Sequence, residues 1–146
     1  MKQKIQFILK CIFKYLVLFI TNGSIYVNLE ILFRGYSHIS MFILAGVCGI
    51  VIGGLNNWYT WDMPVIKQML ISGFMITCFE YTTGYIVNIK LGLNVWDYSN
   101  LPFNVNGQIC LYFSILWVFI SLIAILVDDW LRYILFNEEY KKYKWF

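Results

Sequence analysis

Apolar residues along this 146-residue chain fall into four long runs separated by short polar breaks. The runs cover about 11–33, 39–58, 64–88 and 109–127. Each approaches or exceeds the roughly 20 helical residues needed to cross a hydrocarbon core. The first is the least uniform, since it contains Asn22, Asn28 and Glu30. The third opens with Pro64, which suits the first turn of a helix, and the fourth ends at Asp128-Asp129. The pattern predicts an all-α integral membrane protein, a single membrane domain over 1–146. It would be a bundle of four transmembrane helices with a folded outer loop between helices 3 and 4, and an interfacial C-terminal tail over 128–146.

Inside the runs, small and polar residues recur at helical spacing. The second carries Ala45, Gly49 and Gly53 with Gly46 and Gly54 beside them, a face on which another backbone can approach closely. That face serves packing within the chain or a seam between two copies. The third has Gly73, Thr77, Glu80, Gly84 and Asn88 on one stripe, and the fourth has Cys110, Ser114, Trp117, Ser121, Ala124 and Asp128. These two stripes are expected to face each other. In the first run Gly23, Tyr26, Glu30 and Arg34 repeat the spacing.

Composition sharpens the class. Only 13% of residues are charged and 60% are hydrophobic, whereas a soluble domain carries about 25% charged residues. The basic residues gather at the two ends and form no continuous face. This argues against nucleic acid and makes the lipid bilayer, with anionic headgroups, the natural partner. Lys2, Lys4, Lys10, Lys14, Lys67, Arg132, Lys141, Lys142 and Lys144 fall on one side of a four-span topology, and only Arg34 and Lys90 on the other. That bias places both termini in the cytoplasm of a multi-pass cell-membrane protein. The lysines of the first run and the lack of a small-residue cleavage site predict an uncleaved first span. Trp130, Tyr133, Tyr140, Tyr143 and Trp145 read as interfacial belt residues on a tail that prolongs the fourth helix. Cys11, Cys48, Cys78 and Cys110 have no metal-type spacing and read as small core residues.

Polar groups inside the membrane demand explanation, and most of them lie in 80–108. Glu80 sits about two turns, roughly 12 Å, from the outer end of its span. A carboxylate there must be paired, hydrogen-bonded or protonated. It is either a proton- or cation-coupling residue or an anchor held by Arg34 or by loop amides. Glu30 and Arg34 are spaced for an ion pair within one helix, but Arg34 could instead serve the loop or an anionic ligand. His38, the single histidine, fits a helix cap or a functional group. The loop over 90–108 interleaves Asn94, Trp96, Asp97, Tyr98, Asn100, Asn104 and Gln108 with apolar residues, and Gly92, Pro102 and Gly107 supply turns. It either folds back into the mouth of the bundle or runs loose outside it.

No GxxxxGK[ST] loop, HExxH motif, Cys/His cluster or GxSxG is present, so ATP hydrolysis, a metal site and serine hydrolysis are not expected. The expectation is no enzyme and no cofactor; intramembrane acid/base chemistry at Glu80 and Asp97 has nothing specific in its favour.

The blocks RGYSH at 34–38, EYxxGxxxN at 80–88, LGLxVWDYSxxPxN at 91–104, GQICLxFSxxW at 107–117 and DDWLRY at 128–133 occur in order. They resemble the putative ABC-transporter type IV family, the CmpB-like small multi-pass membrane proteins. The resemblance covers about 30–136. It implies permease character and marks Arg34, His38, Glu80, Asn88, Trp96, Asp97, Asn104 and Gln108 as shared positions. With Tyr98 these form the candidate polar or substrate site. The leading expectation is a transport-related, permease-like subunit working with a second copy or with separate ATPase or transport chains. A non-transport accessory or scaffold protein and a small proton-coupled exporter are the alternatives.

Overall fold

The computed structural model describes residues 2–58, 63–139 and 142–146, with the backbone alone for 56–58. Four helices carry the chain: α1 (Lys2–Arg34), α2 (Ile39–Trp58), α3 (Val65–Gly84) and α4 (Leu111–Phe136). A π-helical segment, Tyr85–Lys90, continues α3, and a two-residue antiparallel ladder of β1 (Asn104–Val105) with β2 (Ile109–Cys110) precedes α4. The protein is helical, as its apolar pattern predicts. The stretches Lys2–Arg34, Val65–Lys90 and Leu111–Phe136 are long and apolar enough to cross a membrane, whereas the apolar part of α2, Ile39–Leu55, is shorter.

The helices overrun the apolar runs where polar residues remain good helix formers. α1 begins at Lys2, ahead of the first apolar run, because Lys and Gln interrupt hydrophobicity without interrupting a helix. Its 33 residues extend about 50 Å at 1.5 Å each, beyond a hydrocarbon core of about 30 Å. Residues 2–10 are exposed on every side. α4 likewise continues past Val127 to Phe136 and ends on Asn137 in the left-handed region, with the Glu138 amide donating back to the Arg132 carbonyl at 3.2 Å.

Local signals set the other boundaries. α1 stops at Gly35, whose positive φ of 79° is the usual exit from a helix, and the Gly35 amide reaches the Ile31 carbonyl at 2.9 Å. Pro64 lies just outside α3 at the N-cap position, with ψ of 142°, and not in its first turn. The first amide of α3, from Val65, is taken by the Lys144 carbonyl at 2.7 Å, so the tail folds back to cap α3. Tyr143, expected at the interface, instead packs on the apolar core and donates to Asp129 at 2.8 Å. Tyr140 lies outside the described residues.

α1 packs along α2 and α3 along α4, with α2 bridging the two pairs; α1 and α4 touch only sparingly. The core forms around Cys48, Ile52, Ile76, Trp117 and Ile125. The small-residue face of α2 is used within the chain: Gly46 and Gly49 receive Phe19 and Asn22 of α1, and Gly53 receives Asp128 of α4. The α3 and α4 stripes do meet. A Cβ on Gly73 would stand 2.5 Å from Val118 Cγ2 and 3.0 Å from the Val118 backbone. Gly73→Ala is therefore expected to destabilise the protein by about 1–3 kcal/mol through overpacking. A lowered thermal midpoint in detergent is the readout, and an unchanged midpoint would mean the seam can part without loss.

Candidate functional site

Glu80 is where α3, α4 and the connecting loop converge. Its side chain is 1% exposed. Trp117 Nε1 donates to Oε2 at 2.8 Å, and the Tyr98 hydroxyl donates to Oε1 at 3.0 Å. Among the described residues no ion pair includes Glu80. Both donors are neutral and firmly placed. Tyr98 stacks on Phe113 with ring centres 4.6 Å apart, and Trp117 lies beside Tyr26 at 6.0 Å. Burial, then the neighbouring Glu80, pushes the Tyr98 phenol well above its ordinary range, so Tyr98 keeps its proton and stays a donor.

Glu80 also lines a cavity of about 150 Å³ on the side of α1 and α2. Its walls include Tyr26, Leu44, Cys48, Trp117, Ile120 and Ala124, nearly all apolar. Ile25, Leu29 and Ile123 line it as well and are exposed, so the cavity opens sideways through the gap between α1 and α4.

A second set of residues holds the loop. The π-helical turn after Gly84 brings Asn88 inward, to 8% exposure. Asn88 Oδ1 accepts from the Val95 amide at 2.7 Å, and its Nδ2 donates to Gln108 Oε1 at 2.8 Å. Trp96 Nε1 donates to the Gln108 carbonyl at 3.0 Å. Arg34 Nη1 donates to the Val95 carbonyl at 3.2 Å while Nη2 lies 2.7 Å from Glu30 Oε1. Both sequence readings of Arg34 therefore hold at once, and it is not the partner of Glu80. Ser37 adds a 2.5 Å hydrogen bond to Glu30 Oε2.

The remaining predicted site residues act locally. Asp97 accepts from the Ser99 amide at 2.8 Å and its hydroxyl at 2.9 Å, and it is exposed. Asn104 donates to the Ser99 and Leu101 carbonyls and accepts from the Gly107 amide at 3.1 Å. Asn106 and Gly107 both have positive φ, as a type I′ turn requires, and the turn closes with Gln108 N donating to Val105 O at 3.0 Å. His38 caps α2, its Nδ1 accepting from the Ser40 amide at 3.2 Å. The nine candidate residues thus divide into a carboxyl centre (Glu80, Tyr98), a loop lock (Arg34, Asn88, Trp96, Gln108) and builders of turns and caps (His38, Asp97, Asn104).

Residues 7–144 match the family described as Putative ABC-transporter type IV. The chain belongs to that family. Membership covers nearly the whole sequence, and the long apolar helices suit a membrane protein. No curated protein and no solved structure matches the chain. The sequence blocks named above fall on the loop and its supports at one end of the bundle, except the DDWLRY block, which lies in α4 near the other end.

That last block holds what sequence reasoning missed. Arg132 Nε lies 2.5 Å from Asp128 Oδ2, and each side chain is 1% exposed. The sequence reading counts Arg132 only among the basic residues on the cytoplasmic side. The i,i+4 spacing of Asp128 and Arg132 was the available signal, since two opposite charges on one face at a membrane-helix end can pair inward. Trp117 and Tyr26 were legible as stripe residues, but not as the wall and donor of the carboxyl centre.

Proposed function

We propose that the chain is a transport-related, permease-like subunit in which all four helices cross the cell membrane, with both termini cytoplasmic. Family membership supports the transport class. The lysine and arginine distribution supports the orientation. α2 is long enough to span if the bilayer thins locally or its polar ends reach the interface, since 17 apolar residues stand at the lower limit. The observation that carries a site is Glu80, a carboxyl group on the wall of an apolar cavity with only neutral donors bonded to it. Intramembrane carboxylates facing cavities commonly serve translocation pathways. A cavity this small favours work alongside a second copy or with separate transport or ATPase chains.

The loop lock favours a second role for part of the candidate site. Arg34, Asn88, Trp96 and Gln108 spend their polar groups on backbone and on one another, as expected for residues that set fold and partner docking.

Purification of wild type and Glu80→Gln in mild detergent, with mass spectrometry of co-purifying chains and lipids, tests the reading. An ATPase chain is expected with both proteins, together with loss of flux in the variant. A lone homo-oligomer that falls apart in the variant would make Glu80 architectural and remove transport as the function. Topology has its own check. A cysteine at Ser99 should react with an impermeant thiol reagent on intact cells, and a cysteine at Lys142 should not.

A further inference from the structure

We propose that the cavity beside Glu80 binds a monovalent organic cation with an apolar body, entering sideways from the bilayer between α1 and α4. The inference rests on the transport reading, since it names the ligand class of that same site.

Charge comes first. The Glu80 oxygens accept one hydrogen bond each, from Trp117 and Tyr98, and a carboxylate oxygen has further lone pairs to offer. Neither donor carries charge, so this carboxyl group in its apolar surround either holds a proton or takes its counter-charge from a ligand that displaces that proton. The nearest arginine toward the loop end, Arg34, is committed to Glu30 and the Val95 carbonyl. The ligand that completes the site is therefore positive. An anion would face the carboxylate without a cation to offset it.

Shape and lining then select the kind of cation. Divalent metals require several oxygen or nitrogen ligands, and no cluster of three or more such side chains occurs among the described residues. Apart from Glu80, Asn22 and Cys48, the lining consists mainly of aliphatic side chains and the rings of Tyr26 and Trp117. Aromatic faces beside a carboxylate attract an ammonium through the ring quadrupole, most strongly where water is excluded. An aliphatic wall rewards a ligand whose remaining surface is apolar. About 150 Å³ accommodates a head of a few carbons around one nitrogen, with any longer tail left in the side opening.

The route follows from the packing. α1 and α4 make few contacts, and the residues at their gap, Ile25, Leu29 and Ile123, are exposed and apolar. A membrane-dissolved amphiphile meets no charged side chain among these residues. The loop side is closed by Tyr98, Trp96 and the Asn88–Gln108 pair.

Benzyltrimethylammonium is a suitable probe, with neopentylbenzene as its neutral isostere, titrated into the purified protein while tryptophan fluorescence is followed. Saturable binding of the cation is expected, at least about tenfold weaker for the isostere and for Glu80→Gln. Ala124→Leu fills part of the cavity without touching the carboxyl group, and it too should weaken the cation. It keeps the test intact if Glu80→Gln does not fold. Equal binding of cation and isostere, or undiminished binding in folded Glu80→Gln and Ala124→Leu, would overturn the proposal. A folded protein that still retains its partner chains but ignores the cation would overturn this inference and leave the transport reading standing. Cation binding by a lone homo-oligomer that falls apart as Glu80→Gln would remove the transport reading and leave the ligand class of the site standing.

Discussion

Replacing Arg132 by leucine is expected to lower stability by about 3–5 kcal/mol, because it takes the guanidinium away from a buried carboxylate. The site leaves little room for water to help: Asp128 and Arg132 side chains are each 1% exposed and 2.5 Å apart. Around them a polar joint ties several elements together. Glu138 lies 3.8 Å from Arg132 Nη1 and also takes Lys14 of α1 at 2.7 Å. The Tyr15 ring stands 5.8 Å from the guanidinium. On the α2 side, Gly53 leaves the space that the Asp128 carboxylate fills. Loss of the arginine therefore loosens α1, α2 and α4 at one end of the bundle together. The expected shift in thermal midpoint is on the order of 10 °C for a chain of this size, measurable by heating the detergent-solubilised protein and following its monodisperse fraction.

The design of the control matters more than the size of the shift. A buried pair replaced as a unit by neutral groups is often tolerated, while removal of one member is not. D128N/R132L should therefore recover at least half of the loss seen in R132L alone, giving a favourable coupling in the double-mutant cycle. If R132L melts within about 2 °C of wild type, a shift below what one kcal/mol moves, the pair has no share in holding this end together.

The same pair shows what an apolar pattern can and cannot convey. Four hydrophobic runs predicted four helices because helical membrane segments must be apolar over their whole length. Their ends were less legible, since Lys2 to Lys10 and Asp128 to Arg132 are helical residues that hydropathy alone counts as breaks. Facing stripes on α3 and α4 were legible from spacing, and Gly73 against Val118 and Glu80 against Trp117 carry that contact. The loop was legible only as unusually rich in polar residues. Which of them bond to which depends on the π-helical turn at Tyr85–Lys90, which reorients Asn88 by changing the winding of one turn, and no residue pattern announces that change. Arg34 illustrates the limit. Its spacing from Glu30 foretold the ion pair, but the 3.2 Å bond to Val95 joins residues 61 apart in sequence and required the folded loop.

Asn88→Leu is the substitution that separates the two roles assigned to the candidate site. The asparagine satisfies the Val95 amide at 2.7 Å and Gln108 Oε1 at 2.8 Å, both in buried surroundings. Leucine fills a similar volume and offers neither partner anything. Each group left unsatisfied costs about 1–3 kcal/mol, so a total of about 2–6 kcal/mol is expected. Much of it should fall on the loop, which is joined to the bundle through Asn88, Trp96, Gln108 and Arg34. Local opening should then rise by about 30-fold or more, at tenfold per 1.4 kcal/mol. Limited proteolysis between residues 91 and 107 reads that opening directly, because cleavage tracks the population of the open form when opening is fast. Asp97→Asn is the matched comparison. Asp97 is exposed and, among the described residues, its side chain bonds to Ser99 two residues on, so the change should stay within about 0.5 kcal/mol and leave proteolysis unaltered. If Asn88→Leu left the loop as resistant as wild type while abolishing flux or ligand binding, Asn88 would belong to the transport site and the division into a carboxyl centre and a loop lock would be wrong. A nicked loop with cation binding still intact at Glu80 would show the opposite, that the lock positions the loop while the chemistry lies about two helix turns away, against Trp117.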